Sequence, residues 1–178
     1  MADFSLFENV FETKFCQWLL DDARKALSET CEFSRSNHHW LPHIVRASAP
    51  VLVRDYQPNQ AQFILANLVE RGVIEHVNYA VMNYAWSRLS YIPWHRDEHS
   101  ETAVTIYLND VWESDWGGLF LYREEPGQVI RAVAPQFNLA VRNTGNLPHA
   151  TSMITPDAAE PRFTIQLFVV SAAEQAKV

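Results

Sequence analysis

The sequence predicts a mainly β domain, an antiparallel sandwich or barrel of the jelly-roll class, with two helices ahead of it. Three observations carry this. From residue 73 onward, eight runs rich in Val, Ile, Tyr, Phe and Thr follow one another, divided by Gly, Pro, Asn and Asp and with no helical pattern between them. In the first 75 residues, two stretches repeat apolar side chains at helical spacing. The composition, 48% hydrophobic, 12% aromatic and 20% charged over 178 residues, is that of one packed domain with a core.

Taken in order, the first helix is expected in KFCQWLLDDARKALSE, where Cys16, Leu20, Ala23 and Leu27 share one face and Asp21, Asp22, Arg24 and Lys25 the other. The second is expected in PNQAQFILANLVERG. Pro58 suits its first turn, Gly72 the position past its end, and Ala61, Ile64, Leu65 and Leu68 form its buried stripe. Residues 32–57 lack a period and read as loop with one strand, APVLVRDY. The β half comprises VIEHVNYAVMNYAW, LSYIPWH, TAVTIYLN, GLFLYR, VIRAVAP, FNLAVRN, HATSMI and RFTIQLFVV. No repeat or linker divides the chain. The expectation is one domain over 1–178, helical to about residue 75 and β from about 76 to 172, with the helices covering one face of a sheet.

Charge and composition exclude several classes. A net charge of −7 argues against a general phosphate-backbone binder, which clusters Lys and Arg, so no nucleic-acid partner is expected. No run approaches the roughly 18 apolar residues of a membrane span. The start, MADFSLFENVFETKF, lacks the basic and apolar regions of a secretion signal. Cys16 and Cys31 form no CxxC, so neither a disulfide framework nor a cysteine zinc site is expected. The expected location is cytoplasmic. Nothing in the sequence selects an oligomeric state.

The chemistry concentrates at Trp94-His95-Arg96-Asp97. His95 and Asp97 are two apart at a strand end, so their side chains share a face and could both ligate one divalent metal. His149, in NTGNLPHATSM, enters a late strand from a loop and is the candidate third ligand. Two imidazoles and a carboxylate form the facial triad of non-haem Fe(II) enzymes, which leaves one side of the metal open. Taken alone, the HxD also fits a surface turn. Arg162, thirteen residues after His149, opens RFTIQLFVV. An arginine aimed into an apolar barrel is costly unless it meets an anion, and its planar fork suits a carboxylate. Thr164 shares its face and is expected to add a hydroxyl to the same anion; a surface ion pair is the competing reading of Arg162. His38, His39 and His43 fall in the irregular stretch, and His76 fits a satisfied polar group as well as a ligand.

The order of HxD, a strand carrying GG, a late His and an Arg opening a strand resembles the Fe(II)/2-oxoglutarate-dependent dioxygenases, and within them the prolyl-4-hydroxylase-like branch. The resemblance covers residues 79–170, through NYAWSRLSYIPWHRDE, TIYLND, WGGLFLY, LPHATSM and RFTIQLF. It implies a double-stranded β-helix, a jelly-roll variant shared with cupins. It implies that His95, Asp97 and His149 are iron ligands and that Arg162 pairs with the distal carboxylate of 2-oxoglutarate. Tyr107 would hydrogen-bond that same carboxylate, and Tyr84 would stand near the metal-bound end of the cosubstrate. The implied cofactors are Fe(II), 2-oxoglutarate and O2. The implied reaction hydroxylates an unactivated C–H bond of an amino acid, peptide or small metabolite and releases succinate and CO2. Halogenating relatives replace the carboxylate ligand by a small residue, so Asp97 favours hydroxylation. The His-to-Arg spacing is longer than usual in the family, so TPDAAEP reads as a small insertion.

Two other readings share the fold: a cupin-like metalloprotein without 2-oxoglutarate, and an inactive jelly-roll binding module. A nucleic-acid demethylase of the alkylation-repair type is disfavoured, because Phe168 stands six after Arg162 where that group carries a second Arg. Trp86, Trp94, Trp112 and Trp116 are candidates for an aromatic wall or for core, and Arg88 and Arg142 for contacts to a substrate carboxylate.

Overall fold

The computed structural model describes residues 3–30, 32–35, 51–76, 78–97, 102–123, 129–144 and 147–169. Both expected helices form, α1 over Thr13–Ser28 and α2 over Pro58–Glu70. Helix α1 buries Cys16, Leu19, Leu20, Ala23 and Ala26, while Leu27 is half-buried against the same core. Helix α2 starts at Pro58 behind a reciprocal cap between Gln57 and Gln60. It buries Ile64, Leu65 and Leu68. Gly72 takes φ +68° just past its end, the left-handed conformation that stops a helix at little cost in glycine.

The strands are β1 (Asp3–Glu8), β2 (Ser34–Arg35), β3 (Val51–Asp55), β4 (Tyr79–Trp86), β5 (Ile92–His95), β6 (Thr102–Tyr107), β7 (Phe120–Arg123), β8 (Ile130–Val133), β9 (Leu139–Thr144), β10 (His149–Thr151) and β11 (Arg162–Val169). They form two antiparallel sheets, β1-β9-β6-β11-β4-β3-β2 and β5-β10-β7-β8. All eight runs of the β half became strands. The first is shorter than its apolar texture suggests: Val73 and Ile74 are buried in the turn after α2, and pairing begins at Tyr79.

The strand expected in APVLVRDY forms as β3, but the expectation of an otherwise helical part to about residue 75 needs correction, because β1 and β2 also lie within it. Strand β1 pairs with β9 along its whole length, from Asp3 opposite Thr144 to Glu8 opposite Leu139. Its partner is distant in sequence, so a local pattern does not reveal it. His38, His39, Trp40, Pro42 and His43 lie outside the described residues.

The core joins α1 and α2 to one face of the seven-stranded sheet, through Leu19, Leu20, Leu68, Ile106, Ile165 and Leu167 among others. Side chains of both sheets line a cleft on the opposite face. No helix among the described residues is long and apolar enough to cross a membrane.

Candidate metal centre and carboxylate pocket

Strand pairing brings the two candidate histidines together. His95 at the end of β5 stands opposite His149 at the start of β10, but Thr151 stands opposite Ile92. Three residues of β10 therefore face four of β5, a bulge. It turns both Ile92 and His95 into the cleft with His149 and Thr151. Trp94, in the bulge, is exposed and lies under the Arg123 guanidinium, 5.2 Å from its ring centre.

Asp97 follows two residues after His95 and completes the group. Its carboxylate oxygens are 3.6 Å from His95 Nε2 and 3.5 Å from His149 Nε2. One ligand atom from each residue lies within 4.8 Å of the other two. These separations suit one ion bonded at about 2.0–2.2 Å to each. Each imidazole is oriented from behind. His95 Nδ1 donates to Pro93 O and His149 Nδ1 to Leu147 O, both at 2.9 Å, which leaves both Nε2 lone pairs facing Asp97. Leu147 is itself held by Asn143, whose amide donates to Leu147 O and accepts from Leu147 N, each at 3.3 Å. The Phe120 ring lies against His149, 5.3 Å between centres and 10° from parallel. Burial, and then the neighbouring His149 ring, hold the His95 imidazole below its ordinary pKa, so it stays neutral and able to ligate near pH 7.

The same cleft reaches Arg162, which opens β11 opposite Trp86 and is 1% exposed. Among the described residues it has no carboxylate partner. Its NH1 donates to Gly118 O, and its guanidinium carbon lies 4.5 Å from the Trp86 ring centre and 5.6 Å from that of Tyr107. Neither its Nε nor the buried Tyr107 hydroxyl has a hydrogen-bond partner among the described residues. Burial pushes the Arg162 pKa down to about 10 and that of Tyr107 up to about 12. Arg162 is therefore still a cation at neutral pH and Tyr107 still a donor. Two buried donors without acceptors among the described residues, set in one cleft wall, have the chemistry to receive a carboxylate. The cleft is lined by His95, Asp97, His149, Arg162, Tyr107 and Trp86 among others.

The longer His-to-Arg spacing does not displace Arg162. Asn109 accepts from Phe163 N at 2.7 Å and donates to Pro161 O at 3.0 Å and Glu160 Oε1 at 2.8 Å. Arg24 from α1 grips the same Glu160 carboxylate, with Nε at 2.9 Å and NH2 at 2.8 Å. The start of β11 is thus fixed from both sides, and residues 155–161 form the turn before it.

The other candidates are distributed differently. Tyr84 is buried on β4 opposite Thr164 and is not part of the cleft wall. Burial raises its pKa, and the Asp97 charge adds to the shift. Thr164 lies on the face of Arg162 but does not line the cleft. Its hydroxyl oxygen accepts from Trp86 Nε1 at 3.0 Å and Gln166 Nε2 at 3.2 Å. Of the four tryptophans only Trp86 lines the cleft; Trp112 and Trp116 pack edge to face, 5.3 Å apart. Arg88 donates to Ala158 O at 2.7 Å and Arg142 to Val73 O at 2.9 Å, so both brace backbone. His76 accepts from the Asn78 amide and stacks on Tyr79. Sequence reasoning missed Asn109 and Asn143. Their one signal is an amide embedded in an apolar strand run, which must be satisfied internally.

A His-Asp-His group and an unpaired arginine in one cleft between antiparallel sheets accompany a known fold. It is the fold of the 2-oxoglutarate–Fe(II) oxygenases, prolyl-4-hydroxylases among them. A Pseudomonas putida prolyl-4-hydroxylase superposes with TM-score 0.73 at 14% identity, over 94% of this chain and 92% of that one. A Trichoplax adhaerens prolyl hydroxylase, in complex with a hypoxia inducible factor oxygen degradation domain peptide fragment, gives 0.74 at 16%, over 98% and 86%. HygX from Streptomyces hygroscopicus, with nickel, 2-oxoglutarate and hygromycin B bound, gives 0.60 at 10%, over 92% and 81%. No family model matches the sequence, and no curated protein does.

Proposed function

We propose that the chain is a single-domain Fe(II)- and 2-oxoglutarate-dependent dioxygenase that hydroxylates an unactivated C–H bond. The observation that carries this reading is the pairing, within one cleft, of convergent metal-ligand atoms with a buried guanidinium that has no anion of its own. His95, Asp97 and His149 would hold the metal. Arg162 and Tyr107 would hold the distal carboxylate of 2-oxoglutarate, with Tyr84 beside Asp97 at the metal end. On this reading the two sheets are the halves of a double-stranded β-helix. Bound there, Fe(II) with 2-oxoglutarate and O2 supplies the oxidising power, with succinate and CO2 as co-products. The protein's part is to orient three ligands, fix the carboxylate and keep bulk water from the cleft floor. The substrate class is an amino acid, a peptide or a small metabolite; the peptide complex of one structural neighbour and the hygromycin B complex of another both fit that range.

The test has two stages. Under argon, adding 2-oxoglutarate to the Fe(II)-loaded protein should produce a visible charge-transfer band. In air, the protein should release succinate, and a panel of amino acids, peptides and metabolites should show which of them raises the rate. Metal binding without any response to 2-oxoglutarate would replace this reading with the cupin-like one. Failure to bind any divalent metal would favour an inactive binding module.

A further inference from the structure

We propose that Trp86 is a positioning residue for Arg162: its indole face, together with the Gly118 carbonyl, holds the guanidinium in place without neutralising it. The charge is thereby kept for the distal carboxylate of the cosubstrate, so the inference rests on the function proposed above.

The other buried arginine among the described residues is held differently: Arg54 pairs with Asp22 and Glu32. A carboxylate already on Arg162 would have to be displaced by every incoming ligand. A ring face and a carbonyl dipole attract a cation yet leave its remaining N–H groups open. Trp86 sits 4.5 Å from the guanidinium carbon, while the partnerless Nε and the Tyr107 hydroxyl remain available.

The cage is itself locked. The Trp86 indole N–H donates to Thr164 Oγ1 at 3.0 Å, and Gln166 Nε2 donates to the same oxygen at 3.2 Å, fixing the ring's tilt. On the other side a glycine eases the approach of the carbonyl. A Cβ at Gly118 would stand 3.2 Å from Arg162 Cδ and 3.3 Å from NH1, and Gly118 has φ +66°. The second glycine of WGGLFLY is therefore shaped to the arginine.

The experiment compares two five-carbon 2-oxo acids that differ only at the far end: 2-oxoglutarate, and 2-oxopentanoate, which lacks the distal carboxylate. Each is titrated into anaerobic Fe(II)-loaded protein and followed by the visible band. Trp86→Phe should weaken 2-oxoglutarate binding by about tenfold, the scale of a desolvated cation–π contact to the best aromatic partner. It should leave 2-oxopentanoate binding unchanged. Equal weakening of both acids would mean that Trp86 merely fills the barrel, and unchanged binding of both would mean that it does not position Arg162; either result overturns the inference. If Trp86→Phe does not fold, Gly118→Ala is read by the same two titrations, with the same selective loss expected and the same two results overturning it. A parent protein that binds neither acid refutes the oxygenase reading, and this inference with it. A parent that binds both while the variants match it refutes this inference alone.

Discussion

Replacing Arg162 by methionine separates a group kept for a ligand from a group that braces the fold. The side chain is 1% exposed and carries its charge without a carboxylate partner among the described residues. Lowering its pKa from 12.5 to about 10 corresponds to a burial penalty of about 3 kcal/mol on the folded state. The hydrogen bond from the cation to Gly118 O returns about 1.5–3 kcal/mol, and the Trp86 ring contributes on a similar scale. The opposing effects nearly cancel, so Arg162→Met should shift the Tm of the ligand-free protein by no more than about 3 °C. Binding should respond very differently. Removing one partner of a buried charge pair costs about 2–5 kcal/mol, so 2-oxoglutarate affinity should fall by about thirtyfold or more. Differential scanning fluorimetry checks both, because 2-oxoglutarate should raise the Tm of the metal-loaded parent and leave that of the variant unmoved. A Tm loss of about 8 °C or more with ligand affinity retained would show that Arg162 is a strut and refute the reasoning.

His149→Ala should abolish Fe(II) binding and turnover, as followed by metal titration; metal affinity at the parent level would exclude His149 as a ligand. Tyr107→Phe should weaken 2-oxoglutarate binding by about tenfold, the scale of one hydrogen bond to a charged group, with Fe(II) affinity unchanged. Metal affinity should be level at neutral pH and fall in acid. The folded-state pKa of His95 is lowered, so its proton competes with the metal only below its ordinary value of 6.5. A midpoint of the loss well above 6.5 would contradict that.

The elements that could be read from the sequence are those whose cause is local. The helical stripe of Ile64, Leu65 and Leu68, with Pro58 before it and Gly72 after, marks α2 nearly to the residue. His95 and Asp97 were readable as a pair because a two-residue step is enough to place them together. What was not readable depends on partners distant in sequence. Strand β1 exists because β9 lies beside it. The bulge opposite β10 sets the facing of Ile92, which alternation from His95 would have turned away. Thr164 followed the alternation rule and shared the face of Arg162, yet Trp86 and Gln166 occupy its oxygen. The 13-residue interval before Arg162 suggested an insertion. Asn109 and Arg24 fix the strand start across 54 and 136 residues of sequence, which no local pattern reveals.

The strand order also sets when the molecule can fold. Strand β11, the last in sequence among the described strands, occupies the middle of the seven-stranded sheet, with β1-β9-β6 on one side and β4-β3-β2 on the other. Until β11 is made, the nascent chain holds two half-sheets, each with a long unpaired edge open to other chains. Closure then needs pairings of high contact order, such as Phe168 with Ala80 and Thr164 with Tyr107, which makes folding slow and a time of exposure to aggregation. The strand that ends this exposure is the one that begins with Arg162. A chain cut short before it loses Arg162 and the centre of the sheet together, so truncation should yield aggregated or degraded protein and no partly folded fragment.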